Sequence, residues 1–276
     1  MPEDGKHSQN AGVSALDFAH AAMIADPGDD SARLRYYARL ADGMLLLMLE
    51  QEAADGVIAP VVLDTEDGKL VLAFDTEERL ADAVTAPVPY VELPGRVIAA
   101  QLAGQGISLG INLGVGEAEF LVSAEALVWL AETLGNAPAE IAARPIAFDV
   151  PKGLPAALMQ ALDAKLARAG GLAEAAMLVA VQYEDGRRGH MLAFIGAVAG
   201  AQNALTRAAS EALTFSGVDA GEMDVTFLAS AAPVVARMAR VALRIELPQP
   251  AATAPAPRPV APAAPGMDPS KPPVLR

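Results

Sequence analysis

No cysteine occurs in these 276 residues. No disulfide can staple such a chain and no thiolate can anchor a structural metal, so a buried apolar core has to hold the fold. The same absence removes thiolate nucleophiles and sulfur carried as a persulfide. Histidine occurs only at His7, His20 and His190, which is too few to supply a cluster of imidazole ligands. The length suits one large domain or two small ones. The strongest apolar runs, Met44–Leu49 and Met177–Val181, fall far short of the roughly 20 residues that span a bilayer and read as buried strands. The opening MPEDGKHSQN is polar and lacks the apolar stretch of a signal peptide. These features predict a cytoplasmic protein with no membrane partner.

The net charge of −14 is unevenly spread. Residues 1–147 carry −15, residues 148–247 carry −1, and the remainder carries +2. An acidic body repels phosphate backbones, so nucleic acid is not an expected partner.

Residues 1–12 read as disordered. Two helices follow, the first from near Ser14 with Leu16, Ala19 and Met23 on one stripe, the second N-capped by Asp30 with Leu34, Tyr37 and Leu40 inward. After the strand at Met44, Val57–Leu63 and Lys69–Phe74 flank Asp64-Thr65-Glu66-Asp67-Gly68, a hairpin signal. Asp75 and Glu78 predict the capped start of a helix. Strands are predicted at Ile107–Leu113 and Glu119–Val122, and Ser123 predicts the cap of a helix that Gly135 ends. The second half reads α-β-β-α-β-α-β, which suits helices on a mostly antiparallel sheet. From Pro248 the chain is PQPAATAPAPRPVAPAAPGMDPSKPPVLR, with proline at ten of 29 positions, the composition of an extended tail. The expected fold class is therefore α+β: two α/β modules, residues 13–135 and 145–247, with mixed or mostly antiparallel sheets flanked by helices, and a disordered Pro/Ala-rich tail over 248–276. No convincing internal repeat is visible. Leu72-Ala73-Phe74 and Leu192-Ala193-Phe194 end strands in both halves, too short a match to argue from.

Several segments, taken in order, resemble the SseB family, the enhanced serine sensitivity proteins. They are Leu16-Asp17-Phe18-Ala19-His20-Ala21-Ala22-Met23, Arg35-Tyr36-Tyr37-Ala38-Arg39-Leu40, Val71-Leu72-Ala73-Phe74-Asp75-Thr76-Glu77-Glu78-Arg79-Leu80, Leu93-Pro94-Gly95, Gly110-Ile111-Asn112-Leu113-Gly114 and Pro151-Lys152-Gly153-Leu154-Pro155. The resemblance covers about residues 15–247 and departs from the family at Leu113, where proline is expected. It implies a two-domain bacterial cytoplasmic protein, and the family's name suggests a link to amino-acid metabolism. The sulfurtransferase label sometimes given to the family does not suit a chain without cysteine. The resemblance supplies no catalytic residues.

Sequence motifs for chemistry are sparse. Gly106-Ile107-Ser108-Leu109-Gly110 has the spacing of a nucleophile elbow, but the elbow needs a strand before the serine and a helix after it, and here a helix precedes. A hydrolase would have to use Ser108 with His190 and one of Asp149, Asp163 or Asp185. Gly104-Gln105-Gly106-Ile107-Ser108-Leu109-Gly110 also resembles a dinucleotide loop, but leads out of a helix rather than into one. Asp64, Glu66 and Asp67 lack the ligand spacing of a calcium loop, so no metal and no cofactor are expected. Arg187 and Arg188 beside His190, with the Arg237, Arg240 and Arg244 group, form a candidate anion-binding set if they converge. Trp129 points away from the Leu127, Leu130 and Leu134 stripe of its helix, so it is either exposed or covered by a neighbouring loop, the second half of the chain or a partner. The expectation is a non-enzymatic binding, adaptor or regulatory protein. Its candidate interaction residues are Trp129, Arg187, Arg188 and His190, and its partner is a protein or a small metabolite. An anion sensor using the arginines and a serine hydrolase using Ser108 and His190 are the alternatives.

Overall fold

The computed structural model describes residues 13–53, 58–66, 68–116, 118–136, 143–217 and 223–248. The expected N-terminal disorder, the tail beyond Pro248, part of the Glu52–Gly56 break, Asp67 of the hairpin turn and most of the Asn136–Pro145 connector lie outside them.

The first half begins with α1 (Ala15–Ala25), where Ser14 and Asp17 form a complete capping box. Helix α2 (Asp30–Asp42) is capped by Asp29 rather than by Asp30, which is its first helical residue. Strand β1 (Met44–Met48), the hairpin β2 (Val62–Thr65) and β3 (Gly68–Phe74), and α3 (Glu77–Ala83) follow. Thr76, not Asp75, caps α3. The Asp75 carboxylate is instead held by both oxygens on Arg79, at 2.6 and 2.8 Å, and accepts from Ser14 Oγ at 2.7 Å. Then come β4 (Tyr90–Pro94), α4 (Gly95–Leu102), β5 (Ile107–Ile111), β6 (Phe120–Val122) and α5 (Ala124–Gly135), whose N-cap is Ser123 as predicted. The strands form one sheet in the order β4-β1-β3-β5-β6, with β2 also on β3. Only β3 and β5 run parallel. One face packs Leu45, Leu47, Val71, Ala73, Leu109 and Ile111 against α1, α2, α4 and α5. The other face carries Leu46, Phe74 and Leu80 of α3.

The second half adds a strand the sequence did not predict, β7 (Pro145–Asp149), before α6 (Ala156–Leu166). Its order is therefore β-α-β-β-α-β-α-β. Strands β8 (Ala175–Tyr183) and β9 (Arg188–Ile195), helix α7 (Gln202–Phe215), β10 (Met223–Leu228), α8 (Pro233–Met238) and β11 (Leu243–Glu246) complete it. The sheet runs β10-β9-β8-β11, with β7 beside β11 on the same flank of β8. The period of two along β8 and β9 splits their side chains. Ala176, Leu178, Leu192 and Phe194 face α6 and α7, while Met177, Val179, Met191 and Ala193 face α8.

The two sheets share an arrangement. In each, an antiparallel pair (β1–β3, β8–β9) carries an antiparallel strand outside its first member and a parallel strand outside its second. Leu72-Ala73-Phe74 and Leu192-Ala193-Phe194 both lie on that second member. The chain order of the two outer strands is reversed between the halves.

Candidate functional site: a groove on the second sheet and the seam between the halves

Register builds the first feature. His190 on β9 and Asp149 on β7 are both Cα partners of Ala180 on β8. The three side chains therefore stand in a row on one face, the outer two about 10 Å apart across two strand spacings. Ala176 and Leu178 of the same face are covered by the core around α6 and α7, whereas Ala180 and Gln182 are not fully covered. With only a methyl group at the centre of the row, an open groove of about 530 Å³ results, lined by Asp149, Val150, Lys152, Ala180, Arg188 and His190. His190 Nε2 lies 3.3 Å from the Lys152 carbonyl oxygen, which orients the ring when that nitrogen carries the proton. Two cations, an imidazole and one carboxylate thus meet on a shallow surface. Such a set can hold an anionic group by charge-assisted hydrogen bonds.

The other arginines do not join this groove. Arg187 pairs with Asp185 at 2.9 Å and lies over the Tyr183 ring, which belongs to the opposite face. Burial, then a hydrogen bond to Asp224, pushes the Tyr183 hydroxyl pKa up. Arg237 lies over Phe148 on that same opposite face. Arg244 pairs with Glu246 and stands opposite Met177. Arg188 stands opposite Gln182, so roughly 15 Å of strand separates it from Arg244. Arg240 is exposed beyond the end of α8. Ser108 is on β5 in the first sheet, paired with Leu70, and His190 is in the second sheet. Gly104 and Gly106 take positive φ in the turn ahead of β5, which accounts for two of the three glycines of the apparent loop motif.

The second feature is the seam between the halves, which the sequence reading did not anticipate. Asp42 ends α2, Arg96 lies on α4, Lys165 on α6 and Glu211 on α7. Arg96 donates both Nη groups to the two Glu211 oxygens at 3.0 Å each and also reaches Asp42. Lys165 Nζ lies 2.8 Å from Asp42 and also bonds Glu211. Arg168 adds a bond to the Asp42 carbonyl. Lys165 and Glu211 are only 8% and 6% exposed, so these charges are compensated by one another rather than by water. Burial works to raise the Asp42 and Glu211 pKa values, but the bonds and charges of Lys165 and Arg96 outweigh it and hold both carboxyls below their ordinary range. Beside the charges, Phe215 of α7 is buried within the first half's core cluster. Trp129 stacks edge-on against Tyr37 at 5.3 Å and against Phe215 at 6.2 Å, and remains 39% exposed. The second half is therefore what covers one side of Trp129. A signal for the seam was present: Lys165 and Glu211 each interrupt an otherwise apolar stripe, Leu158-Leu162-Leu166 and Leu205-Ala209-Ala212.

Among the described residues, no group of three or more His, Asp or Glu side chains is placed to hold a metal ion. No helix among them is long and apolar enough to cross a membrane. Residues 20–129 match the family model of the SseB protein N-terminal domain. No curated protein and no solved structure matches the chain.

Proposed function

We propose, from the match of residues 20–129 to the SseB protein N-terminal domain, that the protein acts by binding, as a cytoplasmic adaptor or regulator without covalent chemistry of its own. One observation carries the reading. The polar side chains that gather on the second sheet, Arg188, His190, Lys152 and Asp149, form an open groove, whereas Ser108 belongs to the other sheet. A shallow groove of mixed charge suits reversible capture of an anionic group, on a small metabolite or on an acidic protein surface. A link to amino-acid metabolism belongs to this proposal and rests on the family name.

Thermal-shift screening with amino acids and phosphorylated metabolites tests the groove, because a ligand of the native state raises the melting temperature. The expected result is a stabilising ligand whose effect disappears in Arg188→Ala and survives in Ser108→Ala. A hydrolytic turnover abolished by both Ser108→Ala and His190→Ala would sink the reading in favour of an enzyme.

A further inference from the structure

The seam encloses a second cavity, of about 100 Å³, separate from the groove at His190. Its polar lining is Arg35, Arg39, Lys165, Gln160 and Asp42, and Phe215 with four alanines supplies the rest. The charges gathered here run against the chain as a whole. Arg35, Arg39, Arg96, Lys165 and Arg168 stand with Asp29, Asp42 and Glu211, a local excess of two positive charges in a protein of net −14. The carboxylates are engaged: Asp42 takes Lys165, Arg96 and Arg168, Glu211 takes Lys165 and Arg96, and Asp29 takes Arg35. The donors are not exhausted. Lys165 Nζ already meets three carboxylate oxygens, both of Asp42 and one of Glu211, but Arg39, whose guanidinium carries five hydrogens, has no ion-pair partner among the described residues. Uncommitted donors beside a net positive charge favour an anion. The Phe215 and alanine wall favours one with an apolar body over one that is polar all round. A volume near three water molecules limits it to a few heavy atoms.

We propose that this seam cavity binds a short aliphatic monocarboxylate, its carboxylate on Arg39 and Gln160 and its alkyl end against Phe215. Both halves contribute to the site, so the ligand strengthens their docking.

The chain contains its own reporter. Trp129 is the only tryptophan and touches Phe215 edge-on, so occupancy changes its emission. Sodium propionate is titrated into the full-length protein, with sodium chloride holding ionic strength constant and inorganic phosphate as the comparison anion. A saturable change in Trp129 emission and a rise in melting temperature with propionate, at least tenfold weaker with phosphate, are expected. Arg39→Ala weakens the propionate response at least tenfold, and Arg207→Ala, which removes an exposed arginine of the same helix as Phe215, leaves it unchanged. Ala161→Leu fills the cavity without touching a charge and abolishes the response while the variant still melts cooperatively. An unsaturable response, a phosphate response equal to that of propionate, or full binding in Arg39→Ala or Ala161→Leu each overturns the proposal.

Discussion

At the scale of single residues, the apparent loop glycine Gly110 has a packing explanation. A Cβ there would sit 2.4 Å from Leu113 Cδ1 and 3.0 Å from Leu72 Cδ2. Leu113 occupies the space the glycine leaves. Gly110→Ala should cost about 1–3 kcal/mol through overpacking, read by chemical denaturation, and a smaller residue at 113 should restore part of the loss. Next to it Asn112 turns the chain with φ of 52°, and its Oδ1 accepts from the Asp75 amide at 3.1 Å. Tyr36 presents a different case. Its hydroxyl is wholly buried and has no hydrogen-bond partner among the described atoms. Burial, followed by the neighbouring Tyr37 and then Asp75 and Asp17, drives its pKa up, so it stays neutral. An unsatisfied buried hydroxyl carries a penalty of about 1–3 kcal/mol. Tyr36→Phe should therefore raise the melting temperature, and a clear loss of stability would show that the hydroxyl has a partner.

At the scale of elements, the Leu93-Pro94-Gly95 step marks the change from β4 to α4. The Gly95 amide donates to the Gly43 carbonyl at 2.9 Å. A side chain at 95 would put its Cβ 2.0 Å from the Leu40 carbonyl oxygen. That neighbour is backbone, so Gly95→Ala must push α4 off α2, at a cost of about 2–4 kcal/mol. Circular dichroism melts would show it, and unchanged stability would contradict the close approach. Elements with a strong local signal were legible in the sequence: α5 through its Ser123 cap, the β2–β3 hairpin through Asp-Gly, and α8 through Pro233 at its start. Strand β7 was not legible. It begins with proline, its register shifts between Pro145 and Ala147, and its side chains lack the alternation that marks a half-buried strand. The cap of α3 was misplaced for a related reason. Asp75 has a capping side chain, but its i,i+4 ion pair with Arg79 and the hydroxyl of the distant Ser14 claim it and leave Thr76 the role.

At the scale of the molecule, charged residues from helices of both halves meet in the seam; the interrupted apolar stripes of α6 and α7 mark Lys165 and Glu211 as inward, but no local pattern names their partners. Arg188 and His190 were legible as a pair because they sit together in the sequence; the meeting of Asp42, Arg96, Lys165 and Glu211 was not, because only the docking of α2 and α4 on α6 and α7 assembles them. Glu211→Ala leaves Lys165 and Arg96 short of a buried partner and should cost about 3–5 kcal/mol, while Lys165→Met with Glu211→Leu should cost far less. A double-mutant cycle on equilibrium unfolding distinguishes these outcomes. The sign of the pH dependence follows from the same cluster. Asp42 and Glu211 are held below their ordinary values of 3.8 and 4.5. Their contribution is thus complete at neutral pH and fades as acidification below those values protonates the folded state. Loosening of the seam should appear below about pH 4 as a shift of Trp129 emission to longer wavelength, and an emission unchanged down to pH 3 would contradict it.

Phe215 lies in the apolar cluster of the opposite half, as a borrowed part of it. Scission of the chain between Asn136 and Ala143 should therefore yield two bands on a denaturing gel and a single particle on gel filtration. Neither fragment is a finished object alone: one is missing an aromatic plug, the other has that plug bare to water.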